Sequence, residues 1–410
     1  MLTIHQIHDI ITIYFSIKEG LPMDKKKRHF RAWRFFYVLL HGYLSRKFKY
    51  THDVCEYDGP CMIISNHVTN WDPVLLGLSF PKKQVYYVAS EHLFRKGIIT
   101  KFLNRYFEPI PRSKGNNAID TVLKCKRHAK DGDNVCIFAE GDSTWNGLTD
   151  KIVPSTAQLV KSLKVALITY KLEGGHLANP RWGIGSRKGK MHGGVVKIYS
   201  PEELKAMSYE EIETAINNDI NENAWERQEK ENISYKGKKR AERIESALFM
   251  CPQCKSIGTV KGVKNDVVCS CGFKTTYTEK CFFDPPVPFK NTLEWDKWQM
   301  EQLLSKNFNH SSALFEDNEV TINEIEASHG LTELCKGKMS LYDDKLCIGD
   351  MEFELEKISG MSIIQTHILV FTYSSKYFEI KGNQGISLRK YLAWYQNFTT
   401  VIKNSEMKEV

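Results

Sequence analysis

No window of this 410-residue chain reaches the roughly 18–20 continuous apolar residues that a membrane-crossing helix needs, and the nearest candidate, "FFYVLLHGYL", is too short. No transmembrane segment is expected. The opening stretch "MLTIHQIHDIITIYFSIKEG" lacks both a cationic start and a small-residue cleavage site, so it does not read as a secretory signal. The 11 cysteines lack the even spread of a disulfide scaffold: they are scattered apart from one cluster near the middle, which suits a reducing compartment, the cytoplasm. Internal repeats are absent. Acidic residues are missing from positions 25 to 50, "KKKRHFRAWRFFYVLLHGYLSRKFKY", where nine Lys or Arg stand unopposed. A block of one sign calls for an anionic partner. What is present, 42% hydrophobic and 26% charged residues, excludes general disorder and predicts a folded chain of two or three domains.

Between Pro60 and Ser200, short apolar runs alternate with longer amphipathic stretches. "CMIIS", "VYYVA", "VCIFA", "VALITY" and "VVKIY" read as strands, most of them followed by a helix-sized segment. The alternation predicts an α/β layer structure with a largely parallel sheet flanked by helices. Residues 201–249 turn strongly charged and helical in character, ending in "YKGKKRAERIE". From about Gly337 to Ile380, brief alternating runs separated by "YDD", "IGD" and "YSSK" suggest a small antiparallel sheet or barrel, and Leu388, Tyr391, Leu392, Tyr395, Phe398 and Ile402 follow the spacing of a closing amphipathic helix.

The stretch "SNHVTNWDP", residues 65–73, follows the strand "CMIIS" directly. Open α/β sheets present ligands at the carboxyl ends of their strands, which is where Asn66 and His67 fall. Asp72 followed by Pro73 has the form of a helix N-cap with proline at the first helical position. The same turn can fold back so that the Asp72 carboxylate holds one nitrogen of His67 and leaves the other as a base. Imidazole titrates near neutral pH, and general-base assistance is worth about 10²–10⁴-fold in rate. No serine or cysteine of the immediate motif serves as a protein nucleophile, so the activated hydroxyl is a substrate's.

"NHVTNWD" resembles the N-H-x4-D motif of lysophosphatidate acyltransferases and related glycerolipid acyltransferases, and the resemblance extends over roughly residues 30–225. "FEPIPRSKGN" is similar to the family's second block and puts Arg112 at the arginine that holds the acceptor phosphate, with Lys114 as a neighbouring cation. "CIFAEGDSTWNG" resembles the third block, F-P-E-G-T-R-S: Glu140 and Gly141 match, whereas Asp142 stands at the threonine and Ser143 at the arginine. A serine cannot replace a guanidinium as a bidentate phosphate ligand. The resemblance implies acyl transfer from a thioester, acyl-CoA or acyl carrier protein, to the free hydroxyl of a lysophospholipid, 1-acylglycerol-3-phosphate foremost. His67 and Asp72 are then catalytic, Asn66, Arg112, Lys114, Glu140 and Gly141 bind substrate, and backbone donors near Gly141 stabilise the oxyanion. The departure at Ser143 leaves two alternatives: a different acceptor, or an inactive lipid-binding scaffold of the same fold.

In "CPQCKSIGTVKGVKNDVVCSCGF", the pairs Cys251–Cys254 and Cys269–Cys271 flank a hairpin-length insert, a spacing suited to four-sulfur zinc coordination. It resembles a zinc ribbon, with the metal structural and no catalytic cofactor implied. The insert is poor in aromatics, so nucleic acid is not the expected partner, and protein contact is. The tail resembles a PH- or GRAM-type domain by pattern. The resulting division is 1–50, N-terminal helices with a basic membrane-facing block; 51–230, acyltransferase domain; 231–249, charged connector; 250–284, zinc ribbon; 285–334, helical connector; 335–410, PH/GRAM-like domain. Cations among Trp33, Phe35, Phe36, Val38, Leu39 and Leu40 fit a helix lying on an anionic membrane, placing the protein peripherally on the inner, cytoplasmic face.

Overall fold

The computed structural model describes residues 24–95, 97–112, 118–305, 312–326, 330–383 and 385–406. Helix α1 (Lys25–Phe48) begins where the Asp24 carboxylate accepts from the Lys27 amide at 3.3 Å, satisfying one of the donors that a helix start leaves open. It ends at Lys49 in the left-handed region. His29, Ala32, Trp33, Leu44 and Phe48 form its buried stripe, while Val38, Leu39 and Tyr43 stay exposed. Residues 1–23 of the expected N-terminal helices lie outside the described residues. No helix among the described residues is long and apolar enough to cross a membrane.

Seven strands follow: β1 (Tyr50–His52), β2 (Cys61–Ser65), β3 (Val85–Ser90), β4 (Ile110–Arg112), β5 (Asn134–Phe138), β6 (Ala166–Glu173) and β7 (Met191–Tyr199), in the order β1-β7-β6-β2-β5-β3-β4. Every neighbouring pair is parallel except β6 with β7. The expected α/β class with a largely parallel sheet is therefore what forms. β2 is central, and all five of its residues are buried, as befits a strand covered on both faces. Its alternation sorts the core: Ile63 joins one hydrophobic cluster, and Met62 and Ile64 join the other. The helices are α2 (Asp72–Gly77), α3 (Ile98–Tyr106), α4 (Ala118–Lys130), α5 (Ser155–Leu163), α6 (Gly175–Ala178), α7 (Pro201–Ala206), α8 (Tyr209–Ile220) and α9 (Ala224–Glu231). Helices α7 and α8 both open on capping boxes, Ser200 with Glu203 and Ser208 with Glu211, which explains why this charged stretch is helical.

The Met62 face is closed by α5, α7 and α8 through Val160, Leu204, Ile212 and Ile216. The Ile63 face is continuous with the rest of the chain: Trp182, Tyr277, Trp295, Phe315 and Tyr391 belong to the same buried cluster. The cysteine module supplies an antiparallel sheet of β8 (Val260–Val263), β9 (Asp266–Cys269), β10 (Lys274–Tyr277) and β11 (Phe283–Asp284). Next comes α10 (Thr292–Leu304), capped by the Asn291 side chain on the Glu294 amide at 3.0 Å.

A second seven-stranded sheet follows, entirely antiparallel: β12 (Phe315–Ile325), β13 (Leu331–Leu341), β14 (Lys345–Ile348), β15 (Met351–Glu354), β16 (Ile358–Ile364), β17 (Ile368–Tyr373) and β18 (Lys376–Lys381), ordered β15-β14-β13-β12-β18-β17-β16. Helix α11 (Arg389–Glu406) packs on it through Tyr391, Leu392 and Tyr395. One expectation needs correction. Within 285–334, read as a helical connector, Thr292–Leu304 is helical but Phe315–Ile325 is a strand paired with β13 and β18. Its charged outward residues dilute the apolar signal, while Val320 and Ile322 point into the core.

Candidate active site and metal centre

The chain leaves the carboxyl end of β2 at Ser65 and turns through residues 66–71 into α2. Asn66 anchors the start. Its side-chain amide donates to the Leu172 carbonyl at 2.8 Å and its carbonyl accepts from the Leu172 amide at 2.8 Å, so it pairs with β6 as a backbone unit would. Asn66 is fully buried, with both ends of its side-chain amide on β6.

His67 Nδ1 lies 2.7 Å from Asp72 Oδ2. The same carboxylate accepts from the Val68 amide at 2.6 Å and from the Thr69 amide at 3.0 Å. With the Asp72 oxygens facing backbone donors, the contact to Nδ1 suits the tautomer in which Nδ1–H donates, leaving Nε2 as the lone-pair nitrogen. Asp72 is completely buried, whereas 23% of the His67 side chain is exposed. The imidazole stacks on Phe138 at 4.8 Å with an interplanar angle of 27°. Asp72 is the first residue of α2, after Trp71, and its carboxylate reaches back along the loop, where an N-cap side chain would bond its own helix. The capping expectation for Asp72 thus gives way to the histidine-orienting one.

Glu140 joins two segments that the sequence keeps apart. Its Oε1 accepts from the His67 amide at 2.5 Å, and Oε2 accepts from the Asp150 amide at 2.8 Å. The Thr144 amide closes the loop onto the His67 carbonyl at 2.9 Å. Burial pushes the Glu140 carboxyl well above the usual carboxylate range, opposed by the two backbone donors. In this position the half-buried Glu140 braces the histidine loop.

Gly141 has φ +83°, a conformation that favours glycine, and a Cβ there would lie 3.2 Å from Arg112 Nη1. Arg112 is exposed at the end of β4, with Nη1 3.4 Å from the Gly141 carbonyl. The three sequence blocks therefore come into contact. Lys114 lies outside the described residues. The Gly141 amide is committed to the Phe138 carbonyl at 3.2 Å, which removes it as an oxyanion donor; the amides of Asp142 and Ser143 have no intrachain acceptor among the described residues. Sequence reasoning missed Phe138, which stacks on the base, and Arg181, which pairs with Asp142 at 3.0 Å. Phe138 was visible as the last strand residue before "AEG"; nothing in "NPRWG" marks Arg181.

The four expected cysteines also converge. The Sγ atoms of Cys251, Cys254, Cys269 and Cys271 all lie within 4.8 Å of one another, with Cys251–Cys271 at 3.7 Å and Cys254–Cys269 at 3.8 Å. A tetrahedron with Zn–S bonds of about 2.3 Å has edges of about 3.8 Å, so the donor set fits a zinc ion, while a disulfide needs sulfurs about 2 Å apart. Cys281 stands outside the cluster, buried 3.9 Å from Arg187 Nη1.

Residues 44–175 match the family model described as Acyltransferase, a span that contains His67, Asp72, Arg112, Glu140 and Gly141. The match marks this segment, about a third of the chain, as an acyltransferase domain. Among solved structures, the chain is similar to the 1-acyl-sn-glycerophosphate (LPA) acyltransferase PlsC from Thermotoga maritima, with 17% sequence identity and a TM-score of 0.43 over 52% of this chain and 86% of that one.

Proposed function

We propose that the protein transfers a fatty acyl group from an acyl thioester, acyl-CoA or acyl carrier protein, to the free hydroxyl of a lysophospholipid, 1-acylglycerol-3-phosphate foremost. The observation that carries this reading is the His67–Asp72 contact of 2.7 Å with the imidazole stacked and partly exposed. His67 Nε2 takes the hydroxyl proton as the oxygen attacks the thioester carbon. Asp72 stabilises the imidazolium that results, and the Asp142 and Ser143 amides, without an intrachain acceptor among the described residues, donate to the developing oxyanion. Collapse of the tetrahedral intermediate breaks the C–S bond, and the imidazolium returns its proton to the departing thiolate. An inert lipid-binding scaffold would have no use for an aspartate with three donors aimed at one imidazole.

Arg112 offers the acceptor phosphate a charge-assisted anchor that does not depend on Ser143. The four thiolates hold a structural zinc, whose closed sulfur shell leaves no position for substrate. The protein works at the cytoplasmic, inner face of an anionic membrane. The exposed Val38, Leu39 and Tyr43 share a surface of α1 with Arg46 and Lys47, and Lys47 Nζ sits 4.5 Å over the Trp71 ring, next to Asp72 in the chain. The contact side of the helix thus adjoins the catalytic loop.

Purified protein incubated with a panel of lysophospholipids and radiolabelled acyl-CoA or acyl carrier protein tests the reading. Turnover is expected with a phosphorylated acceptor and is expected to fall about 10²–10⁴-fold in His67→Ala. Full turnover by His67→Ala would rule out the base. Sedimentation with anionic liposomes is expected to weaken in Leu39→Asp and at high salt.

A further inference from the structure

The turn that follows β5 is held from outside its own domain. Arg181 Nη1 pairs with Asp142 Oδ1 at 3.0 Å and donates to the Ser143 carbonyl at 3.2 Å. The rest of that guanidinium reaches the β16–β17 hairpin, donating from Nη2 to the Ile363 carbonyl at 2.5 Å and from Nε to the Gln365 carbonyl at 2.9 Å. Three residues beyond Ser143, the Asn146 side chain donates to Asp296 Oδ2 at 2.7 Å on α10. Asp296 in turn takes both terminal nitrogens of Arg389, at the first position of α11, with Nη2 at 2.7 Å. Gln299 adds a donor to Asp296 Oδ1 at 2.7 Å and reaches the Ala247 carbonyl at 2.8 Å ahead of the cysteine module. Trp145, between these two anchors in sequence, has Arg181 4.1 Å and Arg389 5.6 Å from its ring.

Three of these groups are withdrawn from solvent, with side-chain exposures of 5% for Arg181, 11% for Arg389 and 3% for Asp296, while Asp142 is 41% exposed. Arg181 brings a guanidinium to the turn at which Ser143 replaces the family arginine. With an aspartate and three carbonyls already on it, Arg181 orders the turn and has no donor face left for a phosphate. A buried ion pair is weak evidence of net stability against an apolar alternative, but it selects one geometry, since breaking it strands a charge. Here the geometry selected is that of the segment bearing the Asp142 and Ser143 amides.

We propose that Asp296 and Arg389 are positioning residues for acyl transfer: the connector helix and the C-terminal sheet domain fix the turn beside His67, and the catalytic site is complete only with those modules docked. This rests on the acyl-transfer reading of the site. Misplacement by about 1 Å can cost on the order of 100-fold in rate, so a turn released at one end is enough to be read kinetically.

The test uses the full chain carrying Arg389→Ala, Arg389→Lys or Asp296→Asn, with two readouts: hydrogen exchange of the amides of residues 141–147, and kcat and KM for acyl transfer. Arg389→Ala is expected to speed exchange in that turn about tenfold or more while residues 250–284 keep wild-type protection, and to lower kcat about tenfold or more at little changed KM for the thioester. Arg389→Lys, which keeps the charge without the bidentate pair, is expected to fall between. If Arg389→Ala does not fold, Asp296→Asn, which preserves shape, decides. Wild-type exchange in the turn, or faster exchange with wild-type kcat, overturns the proposal. Should the wild-type chain turn over no lysophospholipid, the acyl-transfer reading fails by itself, and exchange alone decides whether docking orders the turn.

Discussion

The Glu140 carboxylate accepts the backbone amide of His67 at 2.5 Å, so the third sequence block braces the main chain of the catalytic loop while Asp72 orients its side chain. Two different acids thus fix one histidine. Glu140→Gln leaves one of the two donors, His67 N–H or Asp150 N–H, facing an amide nitrogen. The expected outcome is a loss of about 1–3 kcal/mol in unfolding free energy and about a tenfold fall in kcat, measured by denaturant titration and thiol release.

Asp72→Asn keeps the shape but presents an amide to three donors. Thiol release from acyl-CoA is expected to drop about 10²–10⁴-fold, with the histidine tautomer visible by nitrogen NMR shifting away from Nδ1–H.

Arg112→Ala removes an exposed cation that approaches the Gly141 carbonyl at 3.4 Å. KM for a lysophosphatidate acceptor is expected to rise about 10–100-fold, with KM for acyl-CoA and the melting temperature little changed. An equal rise for an unphosphorylated monoacylglycerol would remove phosphate binding from its role.

Metal analysis of the purified chain is expected to give one zinc, lost in Cys254→Ser together with Cys271→Ser. Because residues of the cysteine module, Tyr277 and Phe273 among them, belong to the same buried cluster as Ile63 and Trp182, chelation is expected to lower the melting temperature of the whole chain, visible by calorimetry.

Two buried groups set opposite pH limits. Burial raises the Glu222 carboxyl from 4.5 to about 8, against the Gly174 amide that it accepts at 2.6 Å. Its folded pKa is the higher one, so its stabilising contribution is full below about pH 4.5 and lost as pH rises toward 8. Burial, with Arg187 adding to it, lowers His176 from 6.5 to about 3, so its contribution is full above pH 6.5 and lost as pH falls toward 3. Glu222→Gln is expected to flatten the decline between pH 5 and 8 and add on the order of a few kcal/mol at pH 8, and His176→Phe to move the acid limb lower; urea titrations across pH check both.

Local chemistry determined a good part of this protein from the sequence. The five apolar runs between Pro60 and Ser200 are strands because β-branched and aromatic side chains fit a covered sheet, with β2 buried throughout and β7 exposed at Val196 and Ile198, and the cysteine spacing converges because tight turns bring near neighbours together. His67 and Asp72 are five residues apart, so their contact needed one loop and no long-range fold.

The tertiary structure decided whatever depends on segments meeting from far apart in the chain. Asn66 pairs through both ends of its amide with β6, and Glu140 accepts two backbone amides from separate segments, contacts that only the folded sheet brings together. The strand Phe315–Ile325 was hidden because its partners lie on both sides of it in space and its outward residues are charged. Arg181, Asp296 and Arg389 come together over more than two hundred residues of chain only because the Ile63 face of the first sheet needs covering. Short-range spacing records which side chains can meet within a loop; which guanidinium reaches which turn is settled by burial of apolar faces, and that leaves no local mark in the sequence.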